Sequence, residues 1–227
     1  MPGKLYIVAT PIGNLRDITL RAIDTLKEVD LIACEDTRHT RKLLSHYSID
    51  KPTTSYFEHN QVKKGDYLIR LLKEDKNIAI VSDSGTPGIS DPGYKIIRLA
   101  IDNDIPIIAL PGPCALIAAL VSSGMPTDSF AFQGFLSNKK ARRRKQLGAL
   151  KNEARTIILY ESPHRVLKCL EDILDILGDR EIVVSRELTK VFEETLRLKA
   201  SSAIQHFTSH LPRGEFVLII SKASKRV

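Results

Sequence analysis

Short apolar runs alternate with longer helical patterns over the first half of the chain. Leu5–Ala9, Leu31–Cys34, Ile78–Ser82 and Ile107–Leu110 are brief and almost wholly apolar, and each predicts a buried strand. Between them, apolar positions recur at helical spacing over Arg16–Glu28, Thr37–His46, Val62–Lys73 and Gly93–Asn103. That order predicts a parallel sheet wrapped by helices. The turn Pro111–Pro113 opens another apolar helix, Cys114–Ser122. In the second half, strands are predicted at Phe130–Gly134, Thr156–Glu161, Glu181–Arg186, Thr195–Ala200 and Glu215–Ser221, and helices at Lys139–Lys151, Pro163–Leu177 and Ser201–His210. The last three strands stand close together, which predicts an antiparallel or mixed sheet. The turn-rich stretch Ser123–Asp128 divides the chain into an expected N-terminal α/β domain, 1–122, and a C-terminal α/β domain, 128–227.

Three of the predicted strands run into Gly/Pro loops: Thr10-Pro11-Ile12-Gly13-Asn14, Ser82-Asp83-Ser84-Gly85-Thr86-Pro87-Gly88, and Leu110-Pro111-Gly112-Pro113-Cys114-Ala115. In a parallel sheet the carboxyl ends of the strands share one edge, and ligands bind at that edge. Any one such loop reads better as a structural turn; three on one edge point to a ligand. Known loop fingerprints are absent: no G-x-x-x-x-G-K-[ST], no G-x-G-x-x-G after the first strand and no G-x-S-x-G elbow.

Polar clusters follow other strands. In Glu35-Asp36-Thr37-Arg38-His39-Thr40-Arg41, Asp36 or Thr37 can cap the next helix, but a cap leaves the arginines unexplained. In Tyr160-Glu161-Ser162-Pro163-His164-Arg165, Ser162 as N-cap with Pro163 in the first turn is a sound structural account; Glu161 and Arg165 lie outside it. Arg186-Glu187-Leu188-Thr189-Lys190 ends a further strand, and Phe192-Glu193-Glu194-Thr195 reads as the start of a return strand. The segment Asn138–Lys145 is the densest positive stretch. Phosphate contact and a solvated helix face are both open for it.

Composition narrows the picture. Hydrophobic residues make up 43% of the 227, enough for a packed core. The net charge of +7 favours an anionic partner. Aromatics are sparse at 6%, with no Trp, which argues against an extended base-stacking platform. Cys34, Cys114 and Cys169 are scattered, and His39 and His46 are expected to face solvent, so no metal is expected. No apolar run approaches a bilayer span and no signal pattern opens the chain, so a cytoplasmic protein without a membrane partner is expected.

Five segments in order, "LYIVATPIGNLRDITLRAIDTLKEVDLIACEDTRHTRKLL", "VSDSGTPGISDPGY", "LPGPCA", "YESPHR" and "RELTK", resemble the small-subunit rRNA methyltransferase I family, the ribosomal branch of the tetrapyrrole methylase fold. The resemblance runs from Leu5 to about Ile220. It implies two α/β domains, a parallel N-terminal sheet and a mixed C-terminal sheet, with S-adenosylmethionine in the cleft between them. It implies a homodimer that methylates the ribose 2'-hydroxyl of a cytidine in the decoding region of 16S rRNA, free or in the small ribosomal subunit. On this match Pro11, Gly13, Asp83, Gly85, Thr86, Pro111, Gly112, Pro113 and Ala115 are expected to hold the donor. Glu161, Glu187 and Lys190 are the expected catalytic groups, since a ribose hydroxyl needs a nearby base or cation. Glu35 and Arg38 would orient the nucleotide, and Arg142, Arg143, Arg165 and Arg186 would meet the RNA. Many members continue into a C-terminal helical extension. Here the basic tail Lys222–Arg226 follows the last strand, so contacts made by that extension are expected to be lost or replaced. Two alternatives stay open: methylation of a small anionic tetrapyrrole-like metabolite, and a non-catalytic RNA-binding assembly protein.

Overall fold

The computed structural model describes residues 2–223; of the basic tail, Ser224 onward lies outside the described residues. The chain forms two compact units, Met1–Cys114 and Ala115–Val227.

The first unit runs β1 (Leu5–Val8), a single 3-10 turn (Leu15–Asp17), α1 (Leu20–Glu28), β2 (Leu31–Cys34), α2 (Thr37–His46), β3 (Thr53–Ser55), α3 (Gln61–Lys73), β4 (Ile78–Val81), α4 (Tyr94–Asp102) and β5 (Ile107–Leu110). Its sheet has the order β3-β2-β4-β1-β5, with every pairing parallel. Alternation along the strands feeds two cores, one on each face. Leu5, Ile7, Ile78 and Ile80 join one core with Leu68, Leu72 and Ile96, while Val8, Ala79 and Val81 join the other with Leu26, Ile32 and Leu43. Burial on both faces is why these strands read as continuous apolar runs.

The second unit runs α5 (Ala115–Ser123), β6 (Phe130–Phe135), α6 (Lys140–Ala149), β7 (Thr156–Glu161), α7 (Val166–Leu177), β8 (Glu181–Arg186), β9 (Glu194–Lys199), α8 (Ala200–Ser209) and β10 (Phe216–Ile220). Its sheet, β6-β7-β10-β8-β9, is mixed: β6 and β7 are parallel and the remaining pairs antiparallel. One face packs on α7 and α8 through Ile157, Leu159, Val184, Leu218, Leu170, Ile173 and Phe207. Helix α5 packs on β7 and β10. It therefore belongs to the second unit, and the division falls ahead of it rather than at the turn 123–127.

Three local departures from the sequence pattern have physical causes. Strand β3 is short, polar and half-buried at the sheet edge, so it carries no apolar run. The pattern over Arg16–Glu28 is broken by Ile18, which is extended, and Thr19 restarts the helix by accepting from the Ala22 amide at 3.1 Å. Ser162 does not cap α7. The Arg165 amide donates to the Ser162 carbonyl, a turn forms, and the helix begins only at Val166 with Arg165 at the N-cap. Asp36 does cap α2, accepting from the Arg38 amide at 2.8 Å.

Candidate active site

Parallel pairing puts the carboxyl ends of β2, β4, β1 and β5 side by side, so all four following loops emerge along one edge of the first sheet. The loops are tied together there. Thr10 and Gly85 exchange backbone hydrogen bonds of 2.9 and 3.0 Å, and the Thr10 hydroxyl donates to the Ser82 carbonyl. Gly85 holds φ +82°, a region where a side chain would be strained, and Ile12 lies 3.4 Å from where a Cβ would stand. The Thr86 hydroxyl donates to the Pro113 carbonyl at 3.0 Å, joining the loop after β4 to the turn after β5. A Cβ at Gly112 would stand 2.7 Å from that of Ala9. Pro11 is half-buried, and Gly13, Pro111 and Gly112 are exposed. Ala115 is the first residue of α5 and of the second unit.

Three carboxylates meet at the same edge. Asp83 Oδ1 accepts from the Asp36 amide at 3.1 Å, and Oδ2 keeps no partner among the described residues. Burial first, and then the neighbouring Asp83 and Asp36 charges, push the Glu35 carboxyl above its ordinary value. Asp36 is held down at about 2, chiefly by the Arg38 guanidinium, which it meets at 2.9 Å. Arg38 itself is exposed, as are His39 and His46.

The second sheet gathers its own polar edge. Glu161 and Arg186 both sit opposite Phe216, so the ends of β7 and β8 flank the start of β10. Glu161 is 2% exposed and accepts from the Ser162 amide at 2.9 Å and from Arg165. Burial pushes its carboxyl up, against the opposing pull of the Ser162 amide and Arg165. Arg165 also donates to the Leu136 carbonyl, which anchors the end of β6. Arg186 is paired with Glu194 at 2.7 Å. Lys190 bridges Glu187 at 2.9 Å and Glu215 at 3.0 Å. Glu187 Oε1 also accepts from the Glu215 amide, while Oε2 keeps no partner among the described residues. Burial alone would raise the Glu187 carboxyl, but the Lys190 and Glu215 bonds outweigh it and hold it low. Lys190 is raised in turn, its two carboxylate bonds prevailing over burial.

The basic segment is divided by the helix it forms. Arg142 is exposed on α6, in keeping with phosphate contact. Arg143 points the other way: its side chain is 6% exposed and meets Asp172 on α7 at 2.6 Å, with Arg144 completing the network through Asp172 and Asp175. The expectation that Arg143 touches RNA is therefore corrected, because its guanidinium is spent inside the unit. No group of three His, Cys, Asp or Glu among the described residues could hold a metal ion.

Residues 4–204 match the family model Tetrapyrrole (Corrin/Porphyrin) Methylases. A Synechocystis sp. protein named ribosomal RNA small subunit methyltransferase I is 52% identical over 223 residues, covering 98% of this chain and 80% of its own. The chain belongs to the ribosomal RNA small subunit methyltransferase I family. The Thermotoga maritima member is 51% identical over 219 residues, spanning 96% of this chain and 98% of its own. The fold is shared more widely. A uroporphyrin-III C-methyltransferase from Thermus thermophilus, solved with S-adenosylhomocysteine, superposes with a TM-score of 0.66 at 17% identity over 96% of this chain and 97% of that one.

Within this family frame, sequence reasoning missed the partner of Lys190. Glu215 lies 25 positions away, and only the antiparallel pairing of β8 with β10 brings it near. The Asp36–Asp83 link across 47 positions escaped for the same reason. Spacing along the chain carries no signal for either.

Proposed function

We propose that the chain transfers the methyl group of S-adenosylmethionine to the ribose 2'-hydroxyl of a cytidine in the decoding region of 16S rRNA, acting on free rRNA or the small ribosomal subunit as a cytoplasmic homodimer. The observation that carries this is the match to the rRNA methyltransferase I members at about half identity over nearly the whole chain. The tetrapyrrole neighbours share the fold at far lower identity.

The edge of the first unit fits the donor. S-adenosylmethionine supplies an electrophilic methyl on a cationic sulfonium. The Glu35, Asp36 and Asp83 carboxylates give that edge a negative field which favours a cation, and the free Oδ2 of Asp83 can accept from a ribose hydroxyl. The loops around Thr10, Gly85 and Pro113 offer backbone groups in a fixed frame. The same carboxylates repel a phosphate, so Glu35 suits the donor better than the RNA backbone.

In the second unit, Glu187 and Lys190 suit the acceptor. The oxygen must be held about 3 Å from the methyl carbon, in line with the departing sulfur. In this reading Oε2 of Glu187 takes the hydroxyl proton as the oxygen–carbon bond forms and the methyl–sulfur bond breaks. Lys190 uses two of its three N–H bonds on carboxylates and has one for the acceptor oxygen. Glu161 is a positioning residue: buried and engaged by Ser162 and Arg165, it holds the end of β6 through that arginine.

The test is transfer of labelled methyl to small subunits from cells lacking the protein, with naked rRNA and a tetrapyrrole precursor in parallel. Label in 2'-O-methylcytidine is expected. Label confined to the tetrapyrrole, or RNA binding that ignores the donor, would overturn the assignment.

A further inference from the structure

The loop between β8 and β9 is tied by several hydrogen bonds yet presents apolar side chains to solvent. Glu187 and Thr189 both have positive φ, at 50° and 68°, a costly conformation for residues with side chains. The loop is fixed from several sides. The Lys190 amide donates to the Glu187 carbonyl, the Glu193 amide to the Lys190 carbonyl, and the Thr189 amide to the Glu193 carboxylate at 2.6 Å. The Glu187 side chain lies so close over Gly214 that any Cβ there would stand 2.3 Å from it. The clamp of Glu187, Lys190 and Glu215 thus locks this loop to the segment that enters β10. At its tip Val191 is 93% exposed and Phe192 73% exposed. The return strand starts only at Glu194, so the apolar character of Phe192 serves neither strand nor core.

Arg213, two positions before the clamp member Glu215, is exposed and makes no ion pair among the described residues. Arg213 and Phe192 each stand two positions from a clamp member, Glu215 and Lys190. An exposed aromatic face and a guanidinium without an ion pair, each two residues from a member of the same clamp, are the two contacts that one single-stranded nucleotide needs. Rings stack on its base and cations hold its phosphate.

We propose that Phe192 stacks on a nucleobase of the RNA substrate next to the reacting ribose, with Arg213 on a neighbouring phosphate. This rests on the RNA methyltransferase assignment and adds to it a positioning residue that no sequence motif singled out. It needs one projecting ring rather than a platform, which agrees with the scarcity of aromatics.

The chain lacks Trp, so F192W places a sole tryptophan at the proposed contact. Its emission is expected to be quenched by a single-stranded decoding-region oligonucleotide and by small subunits. F192A and F192L are expected to raise KM for subunits by roughly 5- to 100-fold with donor affinity unchanged, and F192W to restore it. R213A is expected to lower the salt slope of RNA binding by about 0.7. Emission unmoved at saturating RNA, or full activity in F192L, would overturn stacking. A concentration-dependent blue shift without RNA would overturn it too, since a second copy would then cover the patch. An unchanged R213A slope would overturn the phosphate contact. If the unaltered chain methylates no RNA, the functional assignment fails; if it does and Phe192 variants match it, only this inference fails.

Discussion

Removing Asp172 should unfold the second unit far more readily than it disturbs catalysis. Asp172 is 5% exposed and receives Arg143 at 2.6 Å and Arg144 at 2.9 Å. In Asp172→Ala, Arg144 keeps Asp175, but Arg143 is left buried with no counter-charge. A buried charge stripped of its partner costs about 3–5 kcal/mol. For a chain of this length each kcal/mol moves the midpoint by about 2–4 °C, so a fall of roughly 6–20 °C is expected in a thermal melt. Replacing the pair together, R143M with D172L, should recover most of the loss, because the desolvation cost disappears with both charges. Burial pushes the Asp172 carboxyl up, yet the two arginines outweigh it and hold its folded value below the unfolded one. The folded state therefore binds this proton less readily. The stabilisation is complete above the unfolded value of about 3.9 and is lost as pH falls through the folded value. The gap between the unaltered chain and D172A should accordingly close on acidification. A loss under about 1 kcal/mol in D172A near neutral pH would refute the reasoning.

Three other outcomes follow from the same geometry. Gly85→Val should weaken S-adenosylmethionine binding, measured by calorimetry, and destabilise the first unit by about 1–3 kcal/mol through strain at φ +82°. Glu187→Gln and Lys190→Met should each lower kcat by about 100-fold or more while leaving donor affinity in place; equal rates would remove both from proton handling. Arg142→Glu should weaken RNA binding and flatten its salt dependence without shifting the melt, the reverse of what a change at Arg143 would do.

The contrast between those adjacent arginines marks how far the sequence can be read. Strands such as Thr156–Glu161 and Glu181–Arg186 were legible to the residue, because burial on both faces makes a continuous apolar run. The three Gly/Pro loops were legible as a group, since parallel strands leave only one edge for them. Side-chain direction on α6 was not legible. Every position from Lys139 to Lys145 but Ala141 is basic, so no periodicity shows which face turns inward, and Asp172 on α7 decides it. Phe192 was misread for a related reason: an apolar residue before a strand looks like its first member until the turn is seen to hold it in solvent.

The place of β10 bears on how the protein is made. It is wholly buried and central, hydrogen-bonded to β7 on one side and β8 on the other. The first sheet has all its strands once Leu110 has left the ribosome, and N-terminal domains generally fold first during synthesis. The second sheet must wait for Ile220. Until then Ile157-Ile158-Leu159 and Ile182-Val183-Val184 present unpaired apolar edges to the cell. An enzyme proposed to act on ribosomes thus spends its own translation with half of itself finished and half open to chaperones. Nascent chains stalled before Phe216 should be captured by them and those carried well past Ile220 released.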